Sequence, residues 1–466
     1  MQIIYNTAKP IDQLLKKQKV KKGEQYRPMY YVVEQPVDEG LLLYHTMTKA
    51  LVLLSPEETE TFRTHPADLE ELIGLWFLVP QSHDDRQLCL QIRDVAKMMA
   101  KPVKGITHYT IMTTTDCNAR CFYCFEMGQP RIPMSNDMAH RIADYIVSHS
   151  NGEKVSITWY GGDPLYNKYV ITLISQLLRD AGVEYKSNMI SNGYLFDDGI
   201  IAEARELWLM ERVQITLDGT EQVYNRNKAF IYKNVNAYQR VIANIHKLQD
   251  AGIRVVIRLN IDMHNADNLL ELTEELHHEF PKTDGIHVYV HQLFEEEKGR
   301  TAIHDDQKRK IVFLKMKDIR NRLADYGFTK KIKLRRKIKI NRCMADNDGC
   351  ITITPIGNIG KCDHYTNDQF VSHIDSEEWD EEMLQNFRET NDEIPACDTC
   401  FDYPNCFMLK RCQATKRCYP EVQEDNKDNI HHEMLVAYDN YTNKKKEEEE
   451  DEDEIEIGRA SCRERV

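Results

Sequence analysis

Cys117, Cys121 and Cys124 are spaced C-x3-C-x2-C in the run Asp116-Cys117-Asn118-Ala119-Arg120-Cys121-Phe122-Tyr123-Cys124. Clustered thiols in a chain without secretory features point to metal or redox work. Structural zinc takes four ligands in a closed tetrahedron, and no fourth Cys or His lies close to this run. Three thiolates on a [4Fe–4S] cube leave one iron without a protein ligand. Such an iron can bind a small molecule and pass it an electron.

A second field holds Cys343, Cys350, Cys362, Cys397, Cys400, Cys406, Cys412 and Cys418. Eight thiolates suffice for two fully ligated [4Fe–4S] clusters, and four-Cys zinc sites are the alternative. Cys89, between Leu88 and Leu90, reads as a buried apolar residue. Cys462 lies in a terminal stretch, 456–466, that reads as foreign to the fold and is left out of the ligand count. Asp346-Asn347-Asp348-Gly349 lacks the remaining ligands of a calcium loop, and His431-His432-Glu433 lacks the spacing of a zinc peptidase.

The elements that must position these residues are legible in part. A chain of 466 residues is too long for one core. Its 41% hydrophobic and 29% charged residues fit a globular enzyme. The N-terminus lacks a signal peptide's apolar segment, and no apolar run approaches the ~18 residues that span a membrane. A cytoplasmic location is therefore expected, with no membrane partner. Nine acids between Glu447 and Glu456 carry most of the formal charge of −14, and 426–466 reads as a disordered acidic tail. Basic residues elsewhere are balanced, so no nucleic-acid partner is expected. The stretch Lys330–Ile340 alternates charged and apolar residues, as a half-exposed strand does.

Within 1–95, three strand-like runs (Met29–Glu34, Leu41–His45, Lys49–Leu54) precede a helix opened by Ser55-Pro56-Glu57-Glu58, a capping box with Pro at the first turn. With a second helix at Ala67–Trp76 this is a winged-helix-like α+β module. Its exposed sheet edge could take up a peptide strand. From 105 to 330, strands alternate with helical segments: Tyr109–Thr115, Val155–Tyr160, Tyr185–Ser191, Val213–Leu217, Arg254–Ile261 and His287–Leu293. Six βα units predict a parallel sheet. Ligands gather at the C-terminal ends of such strands. There lie Gly161, Gly162, Asp163 and Pro164, then Ser191 and Asn192, Asp218, and Arg258 with Asn260.

The cysteine triad and these strand ends resemble the radical S-adenosylmethionine (AdoMet) superfamily, and the field at 335–425 resembles its SPASM extension. The resemblance implies an α/β partial (βα)6 barrel, with the N-terminal module before it and a Cys-rich iron–sulfur domain after it. It implies that Cys117, Cys121 and Cys124 hold a catalytic [4Fe–4S] cluster whose open iron chelates AdoMet. Reduction would cleave AdoMet to methionine and a 5′-deoxyadenosyl radical. Tyr123 matches the position whose backbone meets the adenine. Gly161-Gly162-Asp163-Pro164 matches the segment receiving the methionine amino group, with Asp163 where Glu is commoner. Ser191 and Asn192 match the ribose side; Asp218 ends the fourth strand, and Arg258 and Asn260 match the stretch near adenine and ribose.

By the SPASM pattern, Cys343, Cys350, Cys362 and Cys412 hold one auxiliary [4Fe–4S] cluster, and Cys397, Cys400, Cys406 and Cys418 the other. The family usually has three residues between the equivalents of Cys406 and Cys412, and here there are five. With the N-terminal module, the chain most resembles maturases of ribosomally made peptides. That implies an oxidative cross-link, thioether or carbon–carbon, installed in a precursor peptide held by its leader. A reductant such as flavodoxin or ferredoxin would supply the electron. A formylglycine-generating sulfatase-maturing enzyme and a non-catalytic iron–sulfur scaffold are the alternatives.

Overall fold

The computed structural model describes residues 1–99, 104–124, 126–233, 235–293, 306–329, 334, 343–363, 369–388, 395–406 and 420–463. The N-terminal region holds β1 (Gln2–Tyr5), β2 (Tyr26–Pro28), β3 (Val32–Val37), β4 (Gly40–His45), β5 (Leu51–Leu54) and β6 (Leu78–Pro80). Four of these form an antiparallel sheet in the order β1-β5-β4-β3, and β2 pairs with β6. The helix Pro56–Thr64 starts where the sequence places it. Ser55 Oγ accepts the Glu58 N–H at 3.2 Å, and Glu58 Oε2 accepts the Ser55 N–H at 2.9 Å.

Both faces of this sheet are covered. Leu41, Leu43, Val52 and Leu54 pack with Phe62, Leu72 and Ile73 of the following helices. Ile4, Val33, Leu42, Tyr44, Leu51 and Leu53 pack instead against Met434, Ala437 and Tyr438. Those three belong to a helix, Pro420–Arg463, that replaces the disorder expected from 426 onward. The acid run begins only at Glu447. Ahead of it, Ile430, Met434, Ala437, Tyr438 and Tyr441 recur at helical spacing and give the helix an apolar stripe to bury.

The larger sheet has nine strands. β7 (His108–Thr114), β8 (Val155–Gly161), β9 (Tyr185–Ser191), β10 (Met210–Leu217), β11 (Arg254–Ile261) and β12 (Ile286–Gln292) are parallel and lie in sequence order. Beyond β7 come β13 (Cys350–Ile353), parallel to it, then the antiparallel β14 (Asn358–Gly360) and β15 (Phe370–His373). The two faces differ. Ile111, Ile157, Met189, Ile215, Ile257 and Val288 are buried under the helices. Thr110, Thr158, Asn188, Gln214, Arg258 and Tyr289, on the other face, are only half-buried. Period-two alternation in parallel strands marks a sheet whose inner face stays open to ligand or solvent.

Cys343, Cys350 and Cys362 frame β13 and the β13–β14 hairpin, which turns at Gly357. Cys397, Cys400 and Cys406 pack on Met29, Tyr31, Met47, Cys89 and Ile92 of the N-terminal region. Cys412, Cys418 and nearly all of the Lys330–Ile340 strand expectation lie outside the described residues.

His45 ends β4 fully buried, with its ring against Phe77 and its Nδ1 accepting the Met47 N–H at 3.2 Å. Burial pushes its pKa down to about 3. The unfolded chain takes the proton near 6.5, so between these values it binds more protons than the folded chain. Stability is therefore full above about pH 6.5 and declines as pH falls toward 3. Thermal unfolding of the protein should show this decline, and His45→Gln should flatten it. Equal slopes in the two proteins would contradict the assignment.

Candidate functional site

The cysteine run is an excursion closed at its base. The Met134 N–H donates to the Thr113 carbonyl at 2.9 Å and the Thr115 N–H to the Ile132 carbonyl at 3.1 Å, so 116–129 project beyond the end of β7. The end of β8 straps this excursion down. The Gly162 N–H donates to the Thr114 carbonyl and the Asp163 N–H to the Asp116 carbonyl, both at 3.0 Å. A Cβ on Gly161 would lie 2.1 Å from the Thr114 oxygen, and one on Gly162 2.2 Å from the Asp116 oxygen. Only glycine fits at either position. The pair thus serves contact between two segments of backbone, a role the sequence reading had given to a ligand alone.

Asp163 is fully buried and accepts three hydrogen bonds: Leu165 N–H at 3.1 Å, Ser191 Oγ–H at 2.9 Å and Asn192 N–H at 2.8 Å. Burial pushes its pKa up to about 6, against the pull of those donors. It brackets the ends of β8 and β9. Pro164 follows, with its carbonyl accepting the Thr113 hydroxyl at 3.0 Å. Asn192 reaches back from β9. Its Nδ2 donates to Asn118 Oδ1 at 2.6 Å and approaches Cys117 Sγ at 3.6 Å.

A second network centres on Lys228, at the end of the helix Glu221–Lys228. Its Nζ meets Asp218 Oδ2 at 3.0 Å, Tyr123 Oη at 2.7 Å and Thr216 Oγ1 at 2.5 Å. Lys228 is 2% exposed and Asp218 not at all. The Tyr123 hydroxyl also donates to Asp218. Asn260 Nδ2 donates to Asp218 Oδ1 at 2.9 Å, and Asn265 Nδ2 to the Asp218 carbonyl at 3.0 Å. Burial opposes the ammonium, but Asp218 and the thiols of Cys121 and Cys117 outweigh it and hold the pKa above the usual lysine value. Backbone bonds join the same parts: Arg120 N–H to the Lys228 carbonyl at 2.8 Å and Ile231 N–H to the Asn118 carbonyl at 2.9 Å.

The structure thus gathers the expected residues into two linked groups. Asp163, Ser191 and Asn192 serve Cys117, and Tyr123, Asp218 and Asn260 surround Lys228. Arg258 stands apart, bonded through Nη2 to His291 Nδ1 at 3.0 Å, with Nε buried and without a partner among the described residues. Lys228, Asn118, Thr216 and Asn265 escaped the sequence reading. Asn118 lies inside the cysteine motif and was open to notice. Lys228 follows Asn225-Arg226-Asn227, and nothing local in that polar stretch announces burial.

Among the described residues, no three His, Cys, Asp or Glu side chains are grouped to hold a metal ion. The triad's donor set suits a larger, multi-atom group. Its thiols lie within each other's electrostatic range, and burial, then Asp163 and the other two thiols, pushes Cys117 up to about 12. A group supplying positive charge would reverse that balance. The Ala119 N–H at 3.3 Å and Asn192 Nδ2 already face the sulfur as donors.

Residues 111–278 match the model of the Radical SAM superfamily. Residues 111–278 therefore carry a radical SAM domain. Probable GTP 3′,8-cyclase of Archaeoglobus fulgidus is 28% identical over 175 residues, 36% of this chain and 55% of that protein. Sporulation killing factor maturation protein SkfB of Bacillus subtilis is 22% identical over 173 residues, 36% of this chain and 38% of its own length. The chain spans about half the length of the cyclases it matches first. In fold it is similar to anSMEcpe, solved with bound AdoMet, at a TM-score of 0.55 and 14% identity, over 72% of this chain and 100% of that one.

Lys228→Met would leave Asp218 buried and unpaired, at a cost of about 3–5 kcal/mol. Denaturant unfolding should show that loss, and Lys228→Met with Asp218→Asn should recover much of it. A single variant as stable as the parent would contradict the pairing.

Proposed function

We propose that this protein is a peptide maturase in which Cys117, Cys121 and Cys124 hold a [4Fe–4S] cluster open to AdoMet. The observation that carries the reading is the placement of the triad. Its loop sits on the C-terminal ends of parallel strands, strapped to Gly161–Asp163 and ringed by Ser191, Asn192, Asp218 and Asn260. Those residues, with Tyr123, Pro164 and Arg258, would hold AdoMet. Bound together, the cluster and AdoMet supply reductive cleavage and a radical able to abstract hydrogen. The chain's own part is to fix the loop, exclude water behind Tyr123 and Lys228, and offer the half-buried polar face of β7–β12 to substrate. The substrate would be a precursor peptide, the reductant a flavodoxin or ferredoxin, and the location cytoplasmic. No helix among the described residues is long and apolar enough to cross a membrane.

Two further parts belong to the proposal. The cysteines of the second field would hold two auxiliary clusters that accept the second electron, and 335–425 would be a SPASM domain. The N-terminal module would bind the leader on β3. SkfB's name as a maturation protein and the anSMEcpe structure with bound AdoMet and the Cp18Cys peptide support a peptide substrate. β3 lies at the sheet edge and contains Pro36, which has no N–H and is tolerated there. Alternation along the strand then turns the Glu34 N–H outward as well. The module shares its cores with residues of 397–406 and 430–441, so its role is better tested by substitution than by excision.

Anaerobic reconstitution should load about twelve iron, four per cube. Replacing all three triad cysteines by Ala should remove about four of them and abolish 5′-deoxyadenosine formation under dithionite. Wild-type yields from that variant would overturn the reading. Glu34→Pro should weaken precursor binding about three- to tenfold, the worth of one backbone hydrogen bond, and spare AdoMet cleavage without peptide. Unchanged binding would remove the β3 edge from the account and favour the sulfatase-maturing alternative.

A further inference from the structure

Asn118 and Asn192 form a chain of amides whose orientation is set at one end by backbone. The Tyr194 N–H can only donate, and it donates to Asn192 Oδ1 at 3.0 Å. The Asn192 amide group must therefore point its NH2 the other way, to Asn118 Oδ1 at 2.6 Å and toward Cys117 Sγ at 3.6 Å. Asn118 has no choice of flip either, because turning it over would set NH2 against NH2. Its own Nδ2 is left as a donor. That nitrogen is buried with no acceptor among the described residues, on a residue with 0% exposure. A buried donor left unmade is costly, and the carboxamide that carries it sits at the triad, with its Oδ1 facing the Cys117 thiol at 3.8 Å.

We propose that Asn118, held in one orientation by Asn192, donates a hydrogen bond to sulfur of the metal centre on the cysteine triad and so makes that centre easier to reduce. Hydrogen bonds to sulfur are among the factors that set the potential of iron–sulfur centres. A donor helps most once an electron has been added, because the sulfur is then more negative. Asn192 and Asp163 are positioning residues in this scheme, acting through Asn118. The Ile231 N–H on its carbonyl fixes its backbone, and Asp163, by holding the Asn192 N–H, fixes the other end of the chain of amides. The inference rests on the triad holding an iron–sulfur cluster.

The test is a redox titration of the reconstituted full chain, followed by electron paramagnetic resonance. The triad's signal is identified as the one lost when Cys117, Cys121 and Cys124 are replaced. If no signal is lost, the cluster reading has failed, and this proposal falls with it. If the signal is present, Asn118→Leu should lower the ratio of reduced to oxidised centre at a fixed potential by about tenfold, the scale of one hydrogen bond to a charged acceptor. For a one-electron couple that is about 59 mV. An unchanged midpoint at wild-type iron content would overturn the donor role and leave the cluster reading intact. A variant that lost only AdoMet affinity would overturn it as well, and would assign the amide to AdoMet. Should Asn118→Leu fail to load iron, wild-type protein carrying 15N-asparagine decides. Pulsed resonance on the reduced centre should then detect a coupled side-chain 15N, and its absence would overturn the proposal.

Discussion

A lysine ammonium buried at 2% exposure constrains much of the site. Such a charge survives only where partners replace water. Lys228 finds them in Asp218 at the end of β10, in Thr216 one turn of the pleat earlier, and in Tyr123 between two of the triad's cysteines. Satisfying one cation therefore fixes the cysteine excursion against β10, the fourth of the parallel strands. Asn260 extends the grip to the fifth strand through the other Asp218 oxygen. The opposite flank is held without charge by the glycine strap to β8. A loop of thiols fixed on two sides is preorganised, and preorganisation is what a reactive metal centre requires of its protein.

The same economy joins the outlying parts. The segment carrying Cys397, Cys400 and Cys406 docks on the N-terminal region through Tyr403, which stacks on Tyr31 at 6.3 Å, and through Thr46 Oγ1 on the Phe401 carbonyl at 2.5 Å. Lys49, also buried, reaches Asn405 Oδ1 at 2.5 Å. The helix from Pro420 then crosses the N-terminal sheet. The region that would receive a leader is thus built partly from residues some 350 positions away in sequence. Loading metal on the second cysteine field and shaping the peptide site would be linked, because a site formed on folding adds its binding energy to folding.

How far the sequence was legible follows from where the information lies. The parallel strands of the large sheet alternate with helical segments along the sequence, and β9 and β11 fall on the residues read for them. β10 begins at Met210, three residues before the sequence reading, because Glu211 and Arg212 look like loop until a neighbouring strand pairs with them. The capping box at Ser55 and Glu58 is local and was readable. Burial of Lys228 and the amide chain that ends at Asn118 depend on contacts between residues 105 and 74 positions apart, Lys228 with Tyr123 and Asn192 with Asn118. Composition misled at the C-terminus, where a run of acids drew attention from the apolar stripe preceding it.

The central claim is that the triad leaves one iron open to AdoMet. Mössbauer spectra of 57Fe-reconstituted protein, recorded with and without AdoMet, test it most directly. The account predicts that one iron of the triad's cluster changes its coordination, with a new and distinct component appearing on addition of AdoMet. Spectra unchanged by saturating AdoMet, in protein whose triad is fully loaded, would contradict it.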